Sequence, residues 1–312
     1  MTWLITGSSG YIGQHVVEEF LSNGLEVIGL DSKKFPIDSP LKNRFKVYMG
    51  DICDQLFVSD IFKQESIVGI VNLAALKSVE ESLSKPELYE KVNHVGVEVL
   101  LSEAVRAHVK FFIQSSTAAV YGSSTGGYVD ESSPTVPISP YGRTKLRAEA
   151  ALIAKVRDGE IKGTSLRYFN VIGSSRPELK DSSKANIIPM VLAALNSGQG
   201  PKIFGDDYET PDGTCIRDYV HVMDVARAHV LAAQKIQEHD LPAAINVGTG
   251  QGYSVREIMH EILIQKGSTL APVTEARRQG DPAMLIAKVN LAQDVLGFQA
   301  EKVLSEMISS AI

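Results

Sequence analysis

Cysteine is nearly missing from this chain: 312 residues carry two, Cys53 and Cys215. Their separation matches no zinc, iron–sulfur or redox spacing, so both read as free thiols of a reducing compartment. An excess of positive charge is missing too. The formal charge of −6 argues against a nucleic-acid surface, although a helix N-terminus and a few arginines can still hold an anionic small ligand. Long apolar runs are absent. The longest, IVGIVNLAAL at 67–76, is too short to cross a bilayer. The opening MTWLIT leads straight into a strand without a basic n-region. The cytoplasm is the expected location, with no membrane partner. Histidine clusters are lacking as well: of seven histidines, His221 and His229 flank Asp224 at a spacing without ligand geometry, so no metal is expected. Ser115-Ser116-Thr117 has no G-x-S-x-G elbow, which removes a serine hydrolase. Asp206-Asp207 reads as a charged turn.

What is present suits a globular protein with a substantial core: 44% hydrophobic and 22% charged residues. Short β-branched runs at 3–6, 26–31, 46–49, 69–74, 111–115 and 164–168 alternate with helical patterns at 12–21, 54–64, 87–108 and 140–157. That alternation predicts βαβ units around a buried parallel sheet. Asn23-Gly24 is a helix stop, and Pro86 suits a first helical turn. After about residue 170 the segments become shorter and more polar. Helices are expected near 186–196 and 221–237, and Ser254 with Glu257 forms a capping box for 255–266.

TGSSGYIG places Gly7, Gly10 and Gly13 directly after the first strand and at the start of a helix. Such glycines allow a tight turn and close approach to a pyrophosphate, with the helix N-terminus facing the phosphates. Asp31 ends the second strand, where its carboxylate can accept from the adenosine ribose hydroxyls and repel a 2′-phosphate. The cofactor should therefore be NAD. The expected fold is α/β, a Rossmann-type doubly wound parallel sheet with a smaller α/β substrate-binding domain. The boundary falls at 1–171 and 172–312, with parts of about 217–248 returning to the first unit.

SPYGRTK at 139–145 sets Tyr141 and Lys145 at i, i+4, on one helix face. The pair is either an ordinary exposed contact or a phenol with the cation that makes it a base. It follows QSSTAAVYG, in which Thr117 can offer a hydroxyl to the same substrate oxygen.

With these pieces in place, the chain resembles the extended short-chain dehydrogenase/reductase family, most closely its UDP-glucose 4-epimerase branch. The matching motifs are TGSSGYIG, GDI at 50–52, LAALKSVEES at 73–82, SSTAAVYG, SPYGRTK, RYFN at 167–170, IFGDDYETPDGTCIRDYVHVMD at 203–224, NVGTG at 246–250 and RRQGDPA at 277–283. The resemblance implies that Tyr141 removes the proton of a sugar 4-hydroxyl while NAD takes the C4 hydride. Lys145 then holds the nicotinamide ribose and lowers the tyrosine pKa, and Thr117 binds the reacting oxygen. It implies cofactor contacts at Tyr11, Ile12, Asp31, Asp51, Ile52, Leu73, Ala74, Lys77, Asn93 and Phe169, besides the glycines and the Tyr141–Lys145 pair. For a UDP-sugar it implies Asn170, Asn186, Phe204, Arg217, Arg278 and Asp281; two guanidinium forks suit a diphosphate on chemical grounds alone. It also implies a homodimer, paired through helices 87–108 and 140–157. The chain departs from the family pattern at Ser32, Ala75, Lys288 and the loop after RYFN, and Met284 falls about where family members vary the size of the sugar pocket. Rival readings are an epimerase for N-acetylhexosamines or uronates and a nucleotide-sugar 4,6-dehydratase. The dehydratase needs an acid and a base after the threonine, where Ala118-Ala119 stand. A non-catalytic NAD-dependent regulator predicts erosion of the tyrosine–lysine pair, which is intact.

Overall fold

In the computed structural model, which describes residues 1–123, 126–183, 186–278 and 280–312, the strands in chain order are β1 (Thr2–Thr6), β2 (Glu26–Asp31), β3 (Lys46–Met49), β4 (Ile67–Asn72), β5 (Phe111–Thr117), β6 (Tyr128–Val129), β7 (Lys162–Tyr168), β8 (Asn170–Ile172), β9 (Lys202–Phe204), β10 (Ile216–His221), β11 (Ala244–Val247), β12 (Gly252–Ser254), β13 (Val273–Glu275) and β14 (Met284–Ala287). The helices are α1 (Tyr11–Ser22), α2 (Gln55–Gln64), α3 (Val79–Ser84), α4 (Pro86–Glu90), α5 (Gly96–Arg106), α6 (Pro140–Arg157), α7 (Ile187–Asn196), α8 (Val222–Glu238), α9 (Val255–Lys266), α10 (Asn290–Leu296) and α11 (Leu304–Ala311). Lys184 and Gln279, which belong to the loop after RYFN and to RRQGDPA, lie outside the described residues.

Seven strands form one parallel sheet in the order β3-β2-β1-β4-β5-β7-β11. Its strands are apolar on both faces because both faces are covered. On one side Val16, Val17 and Phe20 of α1 and the alanine-rich face of α8 pack with Trp3, Val71 and Ile113. Trp3 stacks on Phe111 with centroids 6.1 Å apart and meets Phe20 edge-on at 5.8 Å. On the other side Val58 and Ile61 of α2, Leu100 and Leu101 of α5, and Leu152 of α6 cover Leu4, Ile70 and Phe112. The strand order reverses between β1 and β4, which opens a crevice beyond the carboxyl ends.

The second, smaller sheet is mixed. β10 is its hub, antiparallel to β12 and parallel to β14 and β8, and β14 continues to β6. β9 and β13 form a separate parallel pair. A third core cluster joins α7, α9 and α11 through Val191, Ile258, Ile262 and Ile308. Late segments go back to the large sheet: β11 extends it, and α8 and α10 pack beside it.

Local signals explain most element ends. Asn23 caps α1 and Gly24 follows at φ +73°. Ser254 and Glu257 form the reciprocal capping box of α9. Asp54 caps α2 through the amide of Phe57. His221, expected inside a helix, is instead its N-cap, its ring accepting from the Met223 amide at 3.1 Å. The helix expected at 87–108 is not continuous: Pro86 opens the short α4, Lys91–Val95 form a π turn, and α5 follows. The turn carries Asn93, whose amide accepts from the Leu76 amide (2.8 Å) and donates to its carbonyl (2.9 Å). Two side-chain bonds to a neighbouring loop justify the irregular turn, a device common next to functional sites.

Candidate active site

The carboxyl ends of β1, β2, β4, β5 and β7 and the loops of the smaller unit enclose a cleft of 1220 Å³. At one end lies the glycine turn. Gly7 has φ +69°, and a Cβ there would sit 2.8 Å from the backbone of Leu73 and Ala74; one on Gly13 would lie 2.0 Å from the Gly7 carbonyl. Only glycine lets β1, its turn and α1 approach this closely. Gly10 caps α1 without a side chain, and no acid stands in the first turn, so the leading amides are left for an anion. At the end of β2 the Asp31 carboxylate is held by the amides of Ser9 and Lys33, each at 2.9 Å. An uncapped helix start, a turn that no Cβ fits and a carboxylate beyond the second strand fit an adenine dinucleotide.

The other expected cofactor residues Tyr11, Ile12, Asp51, Ile52, Leu73, Ala74, Lys77 and Phe169 line the same cleft. Tyr11 donates to the Gly173 carbonyl at 2.6 Å, and Lys77 stands 3.7 Å from Asp181. Asn93 is different. It is buried behind the 73–78 loop and braces it, without lining the cleft. Resemblance gave the position, and the π turn explains why the side chain serves the loop.

Tyr141 and Lys145 both face the cleft from α6. Pro140 occupies the first helical position, and Ser139 caps the helix through the Gly142 amide at 3.1 Å. Gly142 is needed for packing, since a Cβ there would lie 2.6 Å from the Ala119 carbonyl. That approach brings the start of α6 against the end of β5, where Thr117 stands. Tyr89 meets the Tyr141 ring edge-on at 6.4 Å. The pair is thus not an exposed helix contact; Lys145 is 2% exposed. Burial pushes the Tyr141 phenol above its ordinary pKa, opposed by hydrogen bonding to Thr117. Burial lowers Lys145 to about 8, opposed by the Glu149 carboxylate. In the chain by itself desolvation favours the neutral form of both groups and dominates.

The opposite end carries the residues expected for a nucleotide sugar. Arg217 is held by the Ile216 carbonyl at 2.9 Å and stands 3.7 Å from Asp281. Arg278 lies over the Phe204 ring, 3.9 Å from its centroid. Asn186 caps α7 and donates to Asp181. Asn170, at the start of β8, completes the set, and all six line the cleft. Met284, where a sugar-pocket difference was expected, is not among the lining residues; it packs where a Cβ on Gly127 would fall.

Sequence reasoning passed over other lining residues. Tyr168, also in RYFN, is a second buried phenol beside Tyr141, raised by burial and donating to His229 Nε2 at 2.5 Å. His229 Nδ1 donates to the Val225 carbonyl, which fixes that tautomer. Asp181 lies in a loop with no pattern to mark it. Glu81, inside LAALKSVEES but given no role there, and Lys33 and Lys202, which belong to no motif, carry charge at the rim.

A parallel sheet that positions a dinucleotide turn beside a buried tyrosine–lysine pair defines a class of NAD-dependent enzyme. Residues 3–248 match the model of the NAD dependent epimerase/dehydratase family. A UDP-glucose 4-epimerase of Halalkalibacterium halodurans is 38% identical over 303 residues, covering 96% of this chain and 90% of that one. The crystal structure of UDP-glucose-4-epimerase from Stenotrophomonas maltophila, with bound NAD and formylated UDP-arabinopyranose, superposes with a TM-score of 0.93 at 34% identity, over 100% of this chain and 96% of that one. The UDP-Glc/GlcNAc 4-epimerase of Campylobacter jejuni superposes with a TM-score of 0.86 at 34% identity, over 99% and 97%. The chain belongs to the NAD dependent epimerase/dehydratase family, as an NAD-dependent enzyme of its UDP-sugar 4-epimerase branch.

Proposed function

We propose that this enzyme interconverts UDP-glucose and UDP-galactose by inverting C4 of the sugar. The observation that carries the reading is the buried Tyr141–Lys145 pair with Thr117 against the phenol, in one cleft with Arg217, Arg278 and Asp281. Residues 1–171 hold the cofactor, and 172–312 mainly hold the nucleotide sugar. Arg217 and Arg278 clamp the diphosphate, Asp281 accepts from the uridine ribose, and Phe204, Asn186 and Asn170 line the remaining nucleotide-sugar contacts. Tyr141 takes the proton of the 4-hydroxyl and returns it, while Thr117 holds the same oxygen. When bound, NAD supplies the hydride carrier for C4 and a positive ring beside the phenol. Lys145 adds the second positive charge that burial of the phenol makes necessary.

The test is incubation with UDP-galactose, UDP-GalNAc and UDP-glucuronate, with assay of each C4 epimer. UDP-galactose should give the highest kcat/KM, and Tyr141→Phe should lower kcat by about 10²–10⁴-fold with UDP binding retained. A Tyr141→Phe enzyme of full activity would remove the mechanism, and a preference for UDP-GalNAc would move the substrate to the N-acetylated class.

The enzyme is also proposed to be a homodimer. Leu83, Leu88 and Val95 on the 79–95 segment and Ile153 on α6 are each more than 40% exposed, on two segments that pack together. Sedimentation should give twice the 33.8 kDa chain mass, and Leu88→Lys with Ile153→Lys should give monomers.

A further inference from the structure

Glu149 stands one helical turn after Lys145 and two after Tyr141, and it is 1% exposed. A carboxylate so deeply buried needs partners that repay its lost hydration. It has three bonds. Arg167, 6% exposed on β7, donates from Nε (3.0 Å) to Oε1 and from Nη2 (2.7 Å) to Oε2, the bidentate fork. Ser116, on β5 next to Thr117, donates to Oε1 at 2.5 Å. Arg167 is itself fixed on its far side by the Tyr121 hydroxyl at 2.9 Å, and that hydroxyl donates to Asn246 of β11 at 2.7 Å. The carboxylate therefore ties α6 to the ends of β5 and β7, the three elements that present Tyr141, Lys145, Thr117 and Tyr168 to the cleft.

We propose that Glu149 is a positioning residue of the reaction: clamped between Arg167 and Ser116, it sets the placement of α6 against the β5 end and supplies the only carboxylate on the Lys145 face of α6 among the described residues. The inference rests on Tyr141 and Lys145 acting as proposed above. Its electrostatic half agrees with the direction in which Glu149 pulls Lys145, back up against burial.

Of the other charged groups on elements packed against α6, Glu80 of α3, Glu87 of α4 and Lys91 of the π turn are exposed to solvent, and the more buried ones are paired. On α3, Glu81 bonds Lys85 and accepts from Tyr89 of α4. Glu90 takes Arg147 and His94, and His94 also reaches Glu98. Glu103 of α5 holds Arg106. On β7 the Arg167 charge is taken by Glu149 itself, and Tyr168 is held neutral by burial.

The experiment compares wild type, Glu149→Gln, Glu149→Asp and the double variant Glu149→Gln/Arg167→Gln as holoenzymes, each assayed by UDP-galactose epimerisation across pH. The double variant leaves no unpaired buried cation, so it covers the case in which the single variant does not fold. The expected result for both variants lacking the carboxylate is a kcat lower by roughly 10- to 100-fold with KM little changed. The alkaline limb of the kcat profile should fall by about one pH unit, and Glu149→Asp should restore part of both. Carbon NMR of labelled lysine, with Lys145→Met to assign the resonance, should show the same downward move of the Lys145 titration without any turnover. A double variant with wild-type kcat and limb overturns the proposal, as does a kcat loss confined to the single variant, which would make Glu149 merely the partner of Arg167. A failure here with Tyr141→Phe still inactive removes only this inference, whereas an active Tyr141→Phe removes the mechanism beneath it.

Discussion

Lys145 illustrates the conflict between stability and chemistry in a single side chain. Its ammonium is buried, and its pKa falls to about 8. In the unfolded chain it titrates near 10.4. The folded value is depressed, so the group's full contribution to stability is present only above the unfolded value and is lost as pH falls through about 8. At neutral pH the folded chain therefore carries a destabilising charge, one that the mechanism proposed above requires. Lys145→Met should raise stability at pH 7 by about 1–3 kcal/mol, and the advantage should shrink by pH 10, read by denaturant unfolding at both pH values. The same variant should have lost its activity. Equal stability at pH 7 would mean that the ammonium is better solvated than its burial implies. Cys53 behaves in the opposite, inert sense: burial pushes its thiol up to about 11, so it stays protonated.

At the scale of the element, α6 is built for placement more than for intrinsic helicity. Its N-terminus is defined by Ser139 and Pro140, and its fit against β5 depends on Gly142. Alanine is a better helix former than glycine by about 1 kcal/mol, so propensity alone predicts that Gly142→Ala stabilises. Packing predicts the reverse, because the new Cβ would lie 2.6 Å from the Ala119 carbonyl, a backbone atom that cannot swing away. Packing should win: a lowered Tm together with a kcat reduced by about tenfold or more, since the helix must shift away from Thr117. A stabilised, fully active Gly142→Ala would show that the contact is loose. The interrupted helix at 86–106 was not legible for a related reason. Its sequence is helical throughout, and the π turn carries Asn93, whose bonds to the Leu76 backbone no local pattern encodes.

Across the whole molecule, two buried histidines join distant parts of the chain. His229 of α8 accepts from Tyr168 of β7, and His221 meets Ser310 of α11 at 3.0 Å. Burial lowers both to about 4. Each folded value is depressed below the ordinary 6.5, so the contribution is whole above pH 6.5 and is lost as pH falls through about 4. Each term amounts to about 3 kcal/mol at its acid end. Stability should therefore decline between pH 6.5 and 4, and the double variant His221→Gln/His229→Gln should flatten that slope in chemical denaturation. A slope unchanged in the double variant would place the acid sensitivity in other groups.

By itself the sequence determined the parallel sheet, the dinucleotide turn and the identity of the tyrosine–lysine pair, because each rests on local chemistry: apolar strands, glycines that no other residue can replace, a helical i, i+4 spacing. Arg217 and Arg278 were named through the family resemblance, with which the chemistry of a diphosphate agrees. Only the tertiary structure decided that Lys145 is desolvated, that Asn93 braces a loop, that Met284 packs away from the cleft, and that Glu149 finds Arg167 and Ser116. Those outcomes depend on which surfaces meet across strands far apart in the chain. Burial and charge pairing are properties of the assembled neighbourhood, and residue spacing along the chain does not contain them.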